Sequence, residues 1–253
     1  MLPSTPYVIL DYTFYSDWFF RRLEEGYLYV RNPMNPGQVS KILLNQDTVD
    51  CFVFWTKDPG PMMERLSVLN RLGYPYYFQF TLTPYGTDVE PGLPHKNELV
   101  RTFRELSCRL GPEWVIWRYD PVLLSPSYTR EYHFQWFSRL CGSLEGYTHT
   151  CVISFLDIYR KIKGRMEQIQ PRTMTGSHFC RYCYANFSPA QVEANRRMHD
   201  PESPLLCGRL TGEERITVRE MKSAVRPADD GQMRLGFHDA ELMQLTGKPG
   251  RII

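Results

Sequence analysis

Between Tyr7 and about Lys163, short β-prone apolar runs alternate with longer stretches in which apolar residues recur every three or four positions. That alternation is the signature of parallel strand–helix units. Tyr7–Leu10, Cys51–Trp55, Tyr76–Leu82, Trp114–Trp117 and Cys151–Phe155 predict strands, several of them apolar enough to be covered on both faces. Asn97 is the expected N-cap of a helix that aligns Leu99, Val100, Phe103, Leu106 and Leu110 and stops at Gly111-Pro112. A second helix is expected over Arg130–Leu140 with Tyr132, His133, Trp136, Phe137 and Leu140 on one face, which makes His133 a core-edge residue rather than a ligand. Gly26–Leu44 differs: two β-prone runs flank the turn-rich NPMNPG, predicting a hairpin inserted after the first helix.

The expected class is therefore α/β: a partial (β/α) barrel of about five βα units over residues 1–165. An irregular cysteine-containing segment follows over 166–210, where Gly, Ser, Pro, Arg and Asn rise and the apolar period weakens. The stretch 211–253 is polar with little to bury and reads as a tail, with a short helix near Asp239–Leu245. A length of 253 residues fits one to two domains.

Charge narrows the partners. Thirty Lys and Arg against 28 Asp and Glu give a formal net charge of +2, so no global field attracts nucleic acid. The local pairs Arg196-Arg197 and Arg181-Tyr182 leave only weak support for that partner. The amino end lacks the basic start and long apolar stretch of a secretory signal, and no apolar run approaches bilayer length. The expected location is cytoplasmic, with no membrane partner. Seven cysteines in such a chain argue against a disulfide framework. Cys51, Cys108, Cys141 and Cys151 lie within apolar patterns and read as small core residues.

In parallel βα architectures the chemistry gathers at the carboxyl ends of the strands. Those positions carry Thr56-Lys57-Asp58, then Thr81, Thr83 and Tyr85, then Arg118-Tyr119-Asp120, then Ser154 to Asp157. Lys57 and Arg118 as cations, with Asp120 or Asp157 as carboxylate, would hold an anionic substrate or cofactor group and supply a general acid or base. Lys57, Arg118 and Asp120 are the expected catalytic set, and Thr81, Tyr85 and Asp157 the expected cofactor contacts for an unknown substrate. The competing reading makes Arg118 and Asp120 a structural ion pair.

A second constellation is His178-Phe179-Cys180-Arg181-Tyr182-Cys183. Two cysteines separated by two residues can chelate one metal centre from a tight turn. The spacing serves an iron–sulfur cluster, structural zinc or dithiol chemistry. His178, His199 and Cys207 are further candidate zinc ligands, although the interval from Cys183 to His199 matches no closed zinc pattern.

The runs FYSDWF, VRNPMNPGQVS, DCFVFWTKDP, YPYYFQFTLTPYG, VIWRYDPVLL, CVISFLD and CRYCYANFSPAQVEANRRMHDPESPLL resemble an uncharacterised bacterial domain-of-unknown-function family, across most of Phe14–Leu206. That family's C-terminal cysteine cluster is similar to the cluster-binding motif of radical S-adenosylmethionine enzymes, and its relatives often bear a DNA-repair-photolyase-like label. The resemblance implies a partial barrel, a [4Fe–4S] cluster and S-adenosylmethionine, with Cys180 and Cys183 in the last two positions of a CxxxCxxC motif. The first position is Gly176. Only 23 positions separate Asp157 from Cys180, where the family carries further βα units, so the chain is internally shortened relative to it. The alternative implied by these departures is a non-catalytic or degenerate member whose CxxC holds structural zinc or no metal.

Overall fold

A computed structural model describes residues 7–10, 15–32, 34–156, 189–219, 225–227 and 233–235. Gly176, His178, Cys180, Cys183, Asp157 and the helix expected at Asp239–Leu245 lie outside the described residues. The strands are β1 (Tyr7–Leu10), β2 (Tyr27–Arg31), β3 (Gln38–Leu43), β4 (Cys51–Thr56), β5 (Tyr76–Thr81), β6 (Val115–Val122), β7 (Cys151–Phe155), β8 (Arg215–Val218), β9 (Val225–Pro227) and β10 (Met233–Leu235). The helices are α1 (Ser16–Glu25), α2 (Gly60–Met63), α3 (Leu66–Leu72), α4 (Lys96–Leu110), α5 (Arg130–Leu144) and α6 (Pro189–Arg197). The fold is mixed α/β. Its main sheet has the strand order β1-β4-β5-β6-β7, with β1/β4, β5/β6 and β6/β7 paired in parallel, and among the described residues it does not close into a barrel.

The chain divides into two compact units: Met1–Trp55, Pro61–Tyr77 and Met198–Ile253 form one, Thr56–Gly60 and Phe78–Arg197 the other. In the first, the aromatic residues of α1 form the core. Phe19 is fully buried, its ring 5.3 Å from Phe52 and 5.7 Å from Phe54 of β4. Gly26 ends α1 at φ 77°, a left-handed conformation that glycine adopts without a Cβ clash. The chain then enters the expected hairpin, β2 antiparallel to β3, in register from Tyr27/Leu43 to Arg31/Val39. Part of the polar C-terminal stretch joins it: β8, exposed at all four residues, pairs in parallel with β3. The indole of Trp18 donates to the Ser203 carbonyl at 2.7 Å, and the amide of Tyr29 donates to Pro204, tying the residues after α6 to α1 and β2.

In the second unit β6 is longer than its apolar run predicts. It continues through Arg118, Tyr119, Asp120 and Pro121 to Val122, although polar residues and a proline ordinarily mark the end of a buried strand. Val115, Trp117 and Tyr119 share one face, where Trp117 stacks on Phe137 of α5 at 5.0 Å. Ile116, Arg118 and Asp120 share the other. Helix α4 buries Leu99, Phe103 and Leu106 as its period requires, and Phe103 packs 5.1 Å from Phe80. Its start differs from expectation: the N-cap is His95, with no side-chain cap, and Asn97 lies inside the first turn. Asparagine's preference for the cap is a local one, and here the backbone of His95 takes over, accepting from Glu98 and Leu99.

Two of the four cysteines assigned to the core are not there. Cys51 is buried and Cys151 half-buried, but Cys108 on α4 and Cys141 on α5 are exposed, because the helix rotation puts them beyond the buried stripe.

Candidate functional site

All the groups at this site belong to the second unit: Gln79, Arg118, Asp120 and Ser154 lie within β5, β6 and β7, Arg118 level with the last residue of β5, and Lys57 follows the end of β4. Arg118 and Asp120 are two residues apart on β6, so the strand's two-residue period puts both side chains on one face. They form a fork. Arg118 Nε donates to Asp120 Oδ1 at 3.0 Å, and Nη2 donates to Oδ2. Arg118 Nη1 donates to Gln79 Oε1 of β5 at 2.5 Å, and the Ser154 hydroxyl of β7 donates to Asp120 Oδ2 at 3.4 Å. Three neighbouring strands thus contribute to one polar row. Both charged side chains are largely buried, and the bidentate geometry fixes their plane as well as their distance. What results is an oriented guanidinium–carboxylate pair rather than an isolated base.

Lys57 is held by a different carboxylate. Its Nζ donates to Glu90 Oε1 at 2.7 Å, and Lys96 Nζ, from the first residue of α4, donates to Glu90 Oε2 at 2.8 Å. The Thr83 hydroxyl also donates to Glu90 Oε1, at 2.7 Å. Glu90 is only 2% exposed. Burial by itself would raise its pKa, but the charges and hydrogen bonds of Lys57 and Lys96 overcome that cost and hold it at about 2. Glu90 is therefore a carboxylate throughout the neutral range.

Tyr85 has a different place from the one its strand-end position suggests. It is 1% exposed, and its hydroxyl donates to the Pro121 carbonyl at 2.7 Å while accepting from the Leu123 amide at 2.6 Å. Burial pushes its phenol up, which keeps the proton that these bonds require. Tyr85 braces the turn that follows Asp120, beside Val89, Leu123 and Tyr128. The Tyr128 hydroxyl donates to Asp88 at 2.6 Å. Thr81 ends β5 and is buried.

Of the residues expected from the sequence, Arg118 and Asp120 are brought together, whereas Lys57 pairs with Glu90; Glu90, Lys96 and Gln79, which complete the two clusters, are not among those expected. Glu90 sits in the turn TDVEPG and Lys96 at a helix start, and neither position carries a pattern that marks it. Of the candidate zinc ligands, His199 and Cys207 are described. The His199 Nδ1 hydrogen-bonds the Leu206 carbonyl at 2.7 Å, and burial pushes the Cys207 thiol up. Among the described residues no group of three or more His, Cys, Asp or Glu is placed to hold a metal ion. Among the same residues no helix is long and apolar enough to cross a membrane.

No curated protein and no solved structure matches the chain. A family model described as "Domain of unknown function (DUF1848)" matches residues 12–177, an interval that holds both polar clusters and ends before Cys180. By that match, over most of its length, the chain belongs to the DUF1848 family.

Proposed function

We propose that this protein is an iron–sulfur protein similar to radical S-adenosylmethionine enzymes. In this reading it is built on a partial (β/α) barrel, with Cys180 and Cys183 as cluster ligands and the substrate at the carboxyl ends of the parallel strands. The observation that carries the substrate site is the Arg118–Asp120 fork with Gln79 and Ser154, a buried oriented pair on β6 that begins level with Thr81, the last residue of β5, and runs toward the carboxyl side where such folds do their chemistry. The cluster rests on the CxxC spacing and the family resemblance. When bound, a [4Fe–4S] cluster would supply the electron that cleaves the sulfonium bond of S-adenosylmethionine.

The chain's own residues have separable tasks. Arg118 and Asp120 bind and orient a polar substrate group. Thr81 and Asp157 keep the cofactor role of their strand-end positions, and Tyr85 acts by fixing the turn after Asp120. Cys180 and Cys183 supply two thiolates, and His178 is the candidate for a third donor, because position 176 is glycine. Gly176 is also the observation that favours a second reading, a non-catalytic member whose CxxC holds zinc or no metal.

Anaerobic purification followed by iron, zinc and acid-labile sulfide analysis separates the two. Iron and sulfide in equal amounts, with an electron paramagnetic resonance signal altered by S-adenosylmethionine, is the expected result. Zinc alone, or no metal, would overturn it.

A further inference from the structure

We propose that Lys57 and Lys96, held on the two oxygens of Glu90, form a binding site for a phosphate group carried by the substrate or a co-substrate. The site lies in the second unit, between the residue after β4 and the first turn of α4. It goes beyond the iron–sulfur reading and does not depend on it.

Lys96 shows why. A cation in the first turn of a helix sits at the positive end of the helix dipole, where negative charge is the stabilising sign. Glu98 is the one acidic residue of this turn, and the His95 carbonyl takes the Glu98 and Leu99 amides, so the uncapped end of the helix is represented by the Lys96 and Asn97 amides. Glu90 meets part of that demand, but its charge is shared between Lys96 and Lys57, and its Oε1 also takes the Thr83 hydroxyl. Among the described residues the partner of Lys96 Nζ is Glu90, which uses one of its three N–H bonds. Two remain for an incoming oxyanion.

The choice of residues points to phosphate. Lysine binds phosphate as a compact point charge, and two lysines set against one carboxylate leave a net positive site that a doubly charged phosphate neutralises better than a singly charged carboxylate does. The site also has depth: the Lys57 and Lys96 side chains retain 20% and 19% of their exposure, so a bound anion is partly desolvated and its attraction less screened than at a surface. Glu90 then acts as a positioning residue that holds two flexible ammonium groups at fixed places before the anion arrives.

Calorimetric titration of the full chain with inorganic phosphate, at constant ionic strength maintained with sodium chloride, is the test. Wild-type protein should bind phosphate saturably, and more tightly than acetate. Lys96→Gln should weaken binding about tenfold, the worth of a charge-assisted hydrogen bond. Absence of phosphate binding by the wild type, equal affinity for acetate, or unchanged affinity in Lys96→Gln would each overturn the proposal. Iron measured on the same samples separates the two readings. Iron without phosphate binding overturns this inference alone, and phosphate binding without iron overturns the cluster alone.

Discussion

The hydroxyl of Tyr119 on β6 lies 2.9 Å from Nδ1 of His133 on α5, and His133 Nε2 lies 2.9 Å from the Leu123 carbonyl. A carbonyl only accepts, so in the neutral ring Nε2 carries the proton and Nδ1 accepts from Tyr119. Burial pushes the Tyr119 phenol up, which keeps it a donor. One imidazole thereby joins the helix to the strand and to the turn beyond Asp120. His133→Phe should cost about 1–3 kcal/mol, because it takes the ring donor from the Leu123 carbonyl and leaves the Tyr119 hydroxyl only the long bond, 3.4 Å, to the backbone carbonyl of residue 133. Tyr119→Phe should cost less, and the double variant less than the sum. Urea unfolding measures all three, and additive costs would show that the two side chains do not act together.

Glu90 makes the stability depend on acid. Its folded pKa of about 2 lies below the ordinary 4.5, so its contribution is fully present above about pH 4.5 and is lost as the pH falls toward 2. Wild-type unfolding free energy should drop by a few kcal/mol more than that of Glu90→Gln across this interval. Parallel pH profiles for the two proteins would show that the Lys57 and Lys96 charges do not stabilise the carboxylate.

Thiol reactivity should follow burial. Burial, with the negative charge of Asp50 adding to it, pushes the Cys51 thiol up to about 11. Cys151 is pushed up to about 12, again chiefly by burial. Cys108 and Cys141 are exposed. With iodoacetamide at mildly alkaline pH, peptides holding Cys108 and Cys141 should be labelled first, and those holding Cys51 and Cys151 only after denaturation. Early labelling of Cys51 would contradict its burial.

The aromatic core of the first unit should be sensitive to truncation. Phe19→Ala removes a fully buried ring set among Phe20, Phe52 and Phe54, and should cost about 3–5 kcal/mol in urea unfolding. A cost below about 1 kcal/mol would mean that the neighbouring rings collapse into the space.

Metal retention and the strand-end pair should separate genetically. If the proposed cluster is held by the CxxC segment, Cys180→Ala or Cys183→Ala should abolish the iron content of the purified chain, whereas Asp120→Asn should leave it unchanged. Metal loss in Asp120→Asn would place that carboxylate among the ligands or show that it stabilises them.

The sequence by itself determined the elements whose signals are local. Continuous apolar runs marked β4, β5 and β7, the helical period marked α4 and α5, and NPMNPG between two β-prone runs marked the hairpin. The shared face of Arg118 and Asp120 was also legible, since a two-residue spacing on a strand needs no knowledge of the rest of the chain. Long-range pairing decided what remained. β6 extends past its apolar run because Arg118 is matched by Gln79 on one neighbouring strand and Asp120 by Ser154 on the other. β8 forms because β3 offers it an edge, which its own exposed residues cannot announce. Glu90 lies 33 residues from Lys57, in a turn whose composition says only that the chain reverses. Charge on a residue is written in the sequence, but which opposite charge meets it is settled by the chain's path through space.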